Sequence, residues 1–419
     1  MSTRPDSTPP ALSGQASLLQ RYTSLSVFLF GAIALIVPSG YSLGAVMLLL
    51  GSVVLLVKRP ALGLERRDGA VITAMVAYAT VSLFEIWWDG QGVSGIDKPL
   101  RFLLAIPAML LVMAYPPRLA WLWSGLAVGA IASGSLAGWE SLIENLARAK
   151  GHTHPIQFGN LSMLLGVLCL AGLGWAVTQR QHRWWVALMV VGAGAGIMGS
   201  LLSGSRGGWI GIPFILLVLY RGYGRHLSTA LKLAAVALVL LGGVLAYALP
   251  QTGVQSRVNM AFSDVSRYIS GESRTSSVGA RFEMWQGAAH LIAEKPLTGW
   301  GDNGYQQGMQ ALADEGVIDS GVLKYGHAHN EFLDAFAKRG ILGLAVLLAL
   351  YLVPMRLFAR RFDSPDLEVR SLAVAGVLLS VAYIDFGLTQ TFLAHNSGVM
   401  MFAFWLAVFW GTLRARQAQ

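Results

Sequence analysis

Long apolar runs separated by short polar connections dominate the chain. A helix that crosses a lipid bilayer needs about 20 mostly apolar residues, and runs of this kind recur from about residue 25 to residue 413. The pattern predicts roughly twelve membrane-spanning helices, at residues 25–38, 42–57, 69–88, 100–115, 119–138, 156–177, 184–203, 207–220, 233–249, 333–355, 371–386 and 393–413. We therefore expect an all-α integral membrane protein.

Composition and charge agree with this class and orient the chain. Hydrophobic residues make up 54% of the 419 positions and charged residues 13%, against roughly a quarter charged in a soluble domain. About eighteen of the 31 lysines and arginines fall on the side of the N-terminus and about five in the short segments opposite, as the positive-inside rule requires. Both termini are predicted to be cytoplasmic. The net charge of +9 then reflects topology, and we expect membrane lipids and no nucleic acid as partners.

The polar segments divide the chain into five predicted parts. These are a disordered cytoplasmic leader (1–24), spans one to nine (25–249), a large outer loop (250–330), spans ten to twelve (331–413) and a cytoplasmic tail (414–419). A loop of roughly 80 residues is far longer than an ordinary connection, so we expect it to be a functional module.

One stretch of the large loop has the spacing of an amphipathic helix. Residues 279–294 place Phe282, Trp285, Ala289 and Ile292 on one helical face, and Pro296 follows the stretch. Apolar residues three or four positions apart predict a helix that covers the bundle or lies at the membrane interface.

The clearest candidate for chemistry is a histidine at the end of this loop. His329 and Asn330 stand where the loop enters the tenth span, and an imidazole at a membrane face can act as a general base. The alternative is an interfacial histidine that caps the helix or binds water. His327, two residues earlier, is a second possible base that spacing does not separate from His329.

Two arginines are candidates for binding an anion. Arg206 follows Ser205 in a glycine-lined break between the seventh and eighth spans, where backbone and guanidinium can approach phosphate oxygens closely. A snorkelling arginine at a helix end is the alternative for this residue. Arg281 begins the loop helix, where its charge opposes the helix dipole; either a nearby anion or a solvated face explains it.

Several sequence patterns are missing. The outer segments contain no Asp-x-Asp, His-x-x-x-His or Cys-x-x-Cys pattern, so we expect no catalytic metal. The chain has no Walker-type phosphate loop either, and we expect no cofactor.

Three stretches together resemble the O-antigen ligase and polymerase superfamily. They are Ser203-Gly-Ser-Arg206-Gly, then Gly279-Ala-Arg281-Phe-Glu-Met-Trp285, continuing to Pro296-Leu-Thr-Gly-Trp-Gly301, and His329-Asn330 followed after nine residues by Gly340 and then by Gly343. Twelve spans with a large loop between the ninth and tenth are also similar to this superfamily, and the third stretch is similar to the ligases in particular.

The resemblance implies a fold, a reaction and a location. The fold would be of the glycosyltransferase type C class. The enzyme would move a glycan from undecaprenyl diphosphate to lipid A-core in the bacterial inner membrane, at a periplasmic active site, without a metal and with inversion. His329 would be the general base, and Arg206 and Arg281 would bind the donor diphosphate. Asn330, Ser205 and Trp285 belong to the same stretches, and His327 lies two residues before the third. We expect all four to support the site.

The sequence departs from the family pattern at two places. Many relatives carry an acid near Lys338, so a supporting carboxylate from that position is in doubt. A second pair, His395-Asn396, is followed at the corresponding spacing by Trp405 and Leu406 instead of glycine. We therefore interpret His395 as a packing or rim residue.

Three other functions remain open at this stage. An O-antigen polymerase and a protein O-oligosaccharyltransferase belong to the same superfamily. A twelve-span transporter is the alternative from a different class. Transporters often contain paired internal repeats and helices broken at mid-membrane, and we find no convincing repeat in this sequence.

Overall fold

A computed structural model describes residues 14–205 and 207–417 of the chain, and the regular structure within these ranges is helical, without strands. The first eight helices are α1 (Gly14–Ala32), α2 (Gly40–Ser52), α3 (Val54–Lys58), α4 (Arg66–Trp88), α5 (Asp97–Ala114), α6 (Leu119–Leu142), α7 (Pro155–Ala176) and α8 (His182–Ser203). The remaining eight are α9 (Ile212–Gly222), α10 (Thr229–Ala248), α11 (Val254–Ile269), α12 (Gly279–Glu294), α13 (Gly301–Asp314), α14 (Glu331–Ala359), α15 (Leu367–Gly387) and α16 (Asn396–Gln417).

Most of these helices are long and apolar enough to cross a membrane. Within the described residues, nine helical segments meet both conditions: Gly40–Lys58, Arg66–Trp88, Leu119–Leu142, Pro155–Ala176, His182–Ser203, Thr229–Ala248, Glu331–Ala359, Leu367–Gly387 and Asn396–Gln417. The other three predicted spans correspond to α1, α5 and the shorter apolar segment Gly207–Gly222. The integral membrane class is confirmed, whereas the count of twelve stays a prediction.

The bundle is built around α16. Every residue of this helix from Ser397 to Arg414 is buried, and α16 packs against α2, α5, α7 and α15. In contrast α10, which is described throughout, buries none of its residues although it is almost entirely apolar. A helix that is apolar on every side and uncovered by protein is suited to contact with lipid.

Small residues allow neighbouring helices to approach closely. A Cβ atom added at Gly196 of α8 would lie 2.7 Å from the Cα atom of Gly166 in α7. Such close backbone contact is typical of helix packing in membranes, where dispersion contacts stand in for the hydrophobic effect.

The segment between α10 and α14 forms a small packed module with its own core. Its helices α12 and α13 contribute buried side chains such as Met284, Leu291, Tyr305 and Leu312, and Val322 joins them from the following turn. The predicted loop 250–330 is therefore largely folded. Its position on the outer face of the membrane stays a prediction. We call the end of the bundle that carries this module the loop end.

The predicted loop helix has the expected bounds, but its most buried face lies beside the predicted one, on which Phe282, Trp285 and Ile292 are half-buried. Helix α12 runs from Gly279 to Glu294 and buries Met284, Gly287, Ala288 and Leu291, whereas Ala289, on the predicted face, is exposed. The helix packs through small residues, which allow close contact but contribute little to a hydrophobic pattern.

Two predicted boundaries also differ from the structure. Helix α1 already begins at Gly14, so the later part of the predicted leader 1–24 is helical; residues 1–13 lie outside the described ranges. At the other end, Arg414 is the first residue of the predicted tail, yet it is buried, and its Nε donates to Asp68 at 2.7 Å. Helix α16 continues to Gln417.

Helix α14 is kinked where the predicted tenth span contains two charges. Gly340 has φ 62° and ψ −164° in the middle of this helix, and the Ile341 amide donates to the Pro296 carbonyl at 2.8 Å. The first turns of α14 thus belong to the loop module, and the helix continues into the bundle after Gly340.

Candidate functional site

The segment before α14 holds His329 in a defined backbone conformation. His329 has a positive φ of 49°, which is uncommon for a residue with a side chain. Asn330 is the N-cap residue of α14, and its Oδ1 accepts from the amides of Phe332 and Leu333, each at 3.0 Å. Its Nδ2 donates to the Leu388 carbonyl at 3.2 Å. Asn330 therefore supports the site by fixing the helix start next to His329.

Two aromatic rings pack against this histidine. The ring centroids of His327 and His329 are 4.3 Å apart, and those of Tyr325 and His329 are 5.1 Å apart. His327 Nε2 lies 3.3 Å from Oε1 of Gln390, which stands in the turn after α15. Both histidines that sequence reasoning left as alternative bases therefore occupy one site.

His395, which we interpreted as a packing or rim residue, joins the same group. It precedes α16, and the charge of His327 acts on its pKa. The sequence analysis assigned no role to Gln390 or Tyr325. The His395-Asn396 pair was a visible signal, but Gln390 had none, because only the packing of α15 against α14 brings it to the histidines.

Burial keeps these imidazoles neutral. It is the largest cause that lowers the pKa of His329 to about 3; repulsion from His327, when that ring is protonated, and from Arg281 adds to the effect, while a hydrogen bond that the protonated ring donates to Gln390 opposes it. Burial likewise lowers the pKa of His395 to about 4 and moves the pKa of His327 below its ordinary value. A neutral imidazole can accept a proton.

Helix α12 brings Trp285 and Arg281 to the site. Trp285 donates from Nε1 to the Ala328 carbonyl at 3.0 Å, immediately before His329. Arg281 precedes Trp285 by one helical turn, so both side chains lie on one face. Arg281 Nη1 donates to the Ser277 carbonyl at 2.9 Å, and its charge lowers the pKa of His329. Arg281 is thus near enough to His329 for its charge to act on the imidazole.

The other predicted arginine cannot be assigned a position. Arg206 lies outside the described residues. Its neighbour Ser205 is buried, and the Ser205 Oγ donates to Asn160 Oδ1 on α7 at 2.9 Å.

Lys338 has a structural role that the family pattern does not suggest. It is buried, and its Nζ forms ion pairs with Asp302 at 2.7 Å and Asp334 at 3.2 Å. Lys338 Nζ also donates to the Gly326 carbonyl at 2.9 Å, and Asp334 Oδ1 accepts from the Ala328 amide at 3.1 Å. The carboxylates near the site therefore come from Asp302 and Asp334, and this network holds the chain on which His327 and His329 stand.

Several buried polar atoms around the histidines lack a partner. Within the described ranges, His329 Nδ1, His395 Nε2 and Thr391 Oγ1 make no hydrogen bond. Buried polar groups are normally paired, so the cluster is suited to a polar ligand. In the same ranges, no three His, Cys, Asp or Glu side chains are arranged to hold a metal ion.

This arrangement can perform proton transfer next to an anion. A neutral imidazole can accept a proton, and a guanidinium can bind phosphate oxygens through two hydrogen bonds. Transfer of a group from a phosphorylated donor to a hydroxyl acceptor needs both capacities.

Comparisons with known proteins agree with the motifs. Residues 191–348 match the family model described as O-antigen ligase, and this stretch contains Arg206, Arg281 and His329. An uncharacterized protein of Haemophilus influenzae is 28% identical over 380 residues, which cover 90% of this chain and 94% of that protein. The O-antigen ligase of Escherichia coli strain K12 is 24% identical over 223 residues, or 52% of this chain and 51% of that protein.

These findings support a general role in lipopolysaccharide biosynthesis as a membrane enzyme that transfers glycans. Together with the multi-helical membrane fold, they support a relationship between this chain and the O-antigen ligase superfamily.

Proposed function

We propose that this protein is an O-antigen ligase. It transfers a glycan from undecaprenyl diphosphate to lipid A-core at the periplasmic face of the bacterial inner membrane. The observation that carries the proposal is the position of His329 beside α12, where Trp285, one turn after Arg281, bonds to the Ala328 carbonyl within the residues that match the family model. The relative named O-antigen ligase supports the choice of reaction.

The donor side of the reaction needs positive charge. A lipid diphosphate is a good leaving group, and negative charge grows on it as the glycosidic bond breaks. Arg281, together with Arg206, would stabilise that charge with guanidinium hydrogen bonds. The proposed reaction therefore needs no metal ion.

The acceptor side needs a base. A hydroxyl oxygen of the core sugar attacks the anomeric carbon, and the bond from this carbon to the diphosphate oxygen breaks. The bonding electron pair leaves with undecaprenyl diphosphate, and the hydroxyl proton moves to His329. Base catalysis of this kind typically contributes about 10² to 10⁴ in rate. A single displacement inverts the anomeric centre.

Deletion of the gene tests the proposed function against its rivals. We expect the mutant to accumulate full-length glycan on the lipid carrier and to lack it on lipid A-core. Single repeat units on core would instead indicate a polymerase, and unchanged lipopolysaccharide would contradict both readings. Complementation with His329→Ala should fail, whereas the exposed loop variant His152→Ala should restore the wild-type pattern.

A further inference from the structure

A separate cavity lies on the loop module beside the candidate site. Its volume is about 390 Å³, and it is lined by three glutamines (Gln306, Gln307 and Gln310), two tyrosines (Tyr305 and Tyr325) and two apolar side chains. Cavities that hold small ligands have volumes of roughly 300–1,000 Å³, so the cavity is large enough for a ligand.

The glutamines are presented by one helix in a fixed orientation. Gln306 and Gln310 stand one turn apart on the exposed face of α13. Gln306 donates from Nε2 to Asp302 Oδ2 at 3.1 Å, and Gln310 donates from Nε2 to Asp314 Oδ1 at 2.8 Å. Because each carboxylate holds an amide nitrogen, the amide oxygens are kept in place as acceptors.

Tyr305 contributes an aromatic ring to the lining of the cavity. Its side chain is 1% exposed, yet within the described part of the chain its hydroxyl group has no hydrogen-bond partner. The Lys338 ammonium lies 5.0 Å from its ring centroid and holds the ring through a cation–π contact.

The chemistry of the lining selects the class of ligand. The lining side chains are amides, phenols and apolar groups, and none carries a charge at neutral pH. Amide groups can pair with sugar hydroxyls, and aromatic rings can pack against the apolar face of a sugar ring. A phosphate group would find no cation among these residues.

The cavity adjoins the candidate site through a shared residue. Tyr325 lines the cavity, and its ring also contacts the His329 ring at a centroid distance of 5.1 Å. We infer that this cavity is a subsite for a neutral sugar residue of the glycan chain, next to the sugar that reacts at His329. The inference rests on the proposed function and extends it to the substrate.

Kinetics with the double variant Gln306→Ala/Gln310→Ala test the subsite. Both positions are exposed on a helix, so alanine should not prevent folding. Loss of two hydrogen bonds should raise KM for the glycan in the cavity about tenfold, with kcat unchanged. Gln255→Ala, an exposed glutamine on α11, is the matched control and should leave KM unchanged.

Shortened substrates identify which glycan occupies the subsite. If the acceptor glycan occupies the subsite, variant and wild type should have the same KM for a core oligosaccharide truncated to its terminal sugar. If the donor glycan occupies the subsite, variant and wild type should have the same KM for a lipid-linked donor that carries a single sugar. An equal KM for variant and wild type with both full-length substrates would overturn the subsite.

A binding measurement separates this inference from the proposed reaction. Saturation-transfer NMR of the full chain in detergent, with delipidated core oligosaccharide and with released O-antigen glycan as probes, needs no turnover. We expect contact signals from at least one probe, reduced in the double variant. Equal signals for variant and wild type, or no signal with either probe, would overturn the subsite, even for a protein that transfers glycan. The protein could also fail to transfer glycan and still give contact signals that the double variant reduces. That result would refute the ligase function and leave the subsite in place.

Discussion

At the scale of single residues, the site depends on the environment of two side chains, the titratable imidazole of His329 and the guanidinium of Arg281. His329 is held in a strained backbone conformation by the Asn330 cap, and burial keeps its ring neutral. Arg281 stands one turn before Trp285, which contacts the chain next to His329. Neighbours of this kind set both the protonation state of a base and the position of a cation.

The low pKa of His329 predicts an unusual dependence on pH. The pKa is about 3 in the free protein, against an ordinary value of 6.5, so kcat/KM should not fall between about pH 7 and pH 5 through protonation of this base. A bound diphosphate adds negative charge and raises the pKa. The acid limb of kcat should therefore appear at higher pH than that of kcat/KM.

Rate profiles from about pH 4 to pH 8 would test this difference. Identical limbs near pH 6.5 in both profiles would show a solvated imidazole instead. The same shift acts on stability: the unfolded chain takes up the proton first, so stability present above pH 6.5 is lost as the pH falls towards 3.

Arg281 should be sensitive even to a conservative change. Arg281→Ala should raise KM for the lipid-linked donor by about tenfold or more, and Arg281→Lys should restore little of this loss because lysine lacks the planar fork. Donor KM measured at fixed acceptor gives the comparison, with Arg267→Lys, at an exposed position of α11, as a control. Full restoration by lysine would show that only charge is required.

At the scale of elements, α14 connects the site to the bundle through its kink. Gly340 has φ 62°, and a Cβ atom at this position would lie 2.1 Å from the Leu297 carbonyl oxygen. The Ile341 amide and the Pro296 carbonyl join the two segments at this point. Only glycine meets both the backbone and the steric requirement.

Gly340→Ala should therefore destabilise the protein. A backbone forced into this region costs about 1–3 kcal/mol, and the clash with Leu297 adds to it. Thermal unfolding in detergent should show a clear decrease in midpoint. Gly138→Ala is the matched control, since Gly138 lies within α6 and a Cβ there meets nothing within 4 Å. Equal midpoints for the two variants would contradict the role of the kink.

The sequence predicted the bounds of helices better than it predicted which helix faces are buried. Helix α12 has the predicted bounds because Pro296 and the glycines after it limit the helix, and such signals are local. Its buried face is displaced from the predicted one because Gly287 and Ala288 pack closely without appearing hydrophobic. His329 was found through its motif, whereas His395 and Gln390 reach the site only through the packing of α14, α15 and α16.

At the scale of the whole molecule, the two ends of the bundle differ in character. The loop end carries the module, the histidines and the sugar-sized cavity. The opposite end carries basic side chains such as Arg360, Arg361 and Arg414, as the positive-inside rule predicts for a cytoplasmic face. A site at the loop end would then face the compartment in which lipid-linked glycan is presented.

Cysteine labelling tests this orientation. Cys169 is the single cysteine and is buried, so the wild-type chain should not react with an impermeant maleimide. Glu315→Cys, on the loop module, should be labelled in intact spheroplasts. Asp363→Cys, in the turn between α14 and α15, should be labelled only after the membrane is opened. The reverse pattern would invert the predicted topology.

The most direct test of the central claim is glycan transfer by the purified protein with a defined lipid-linked donor and lipid A-core. We expect His329→Ala to bind the donor as the wild type does and to transfer glycan about 10² to 10⁴ times more slowly, while His327→Ala keeps most of the activity. Wild-type transfer by His329→Ala would contradict the assignment of His329 as the general base.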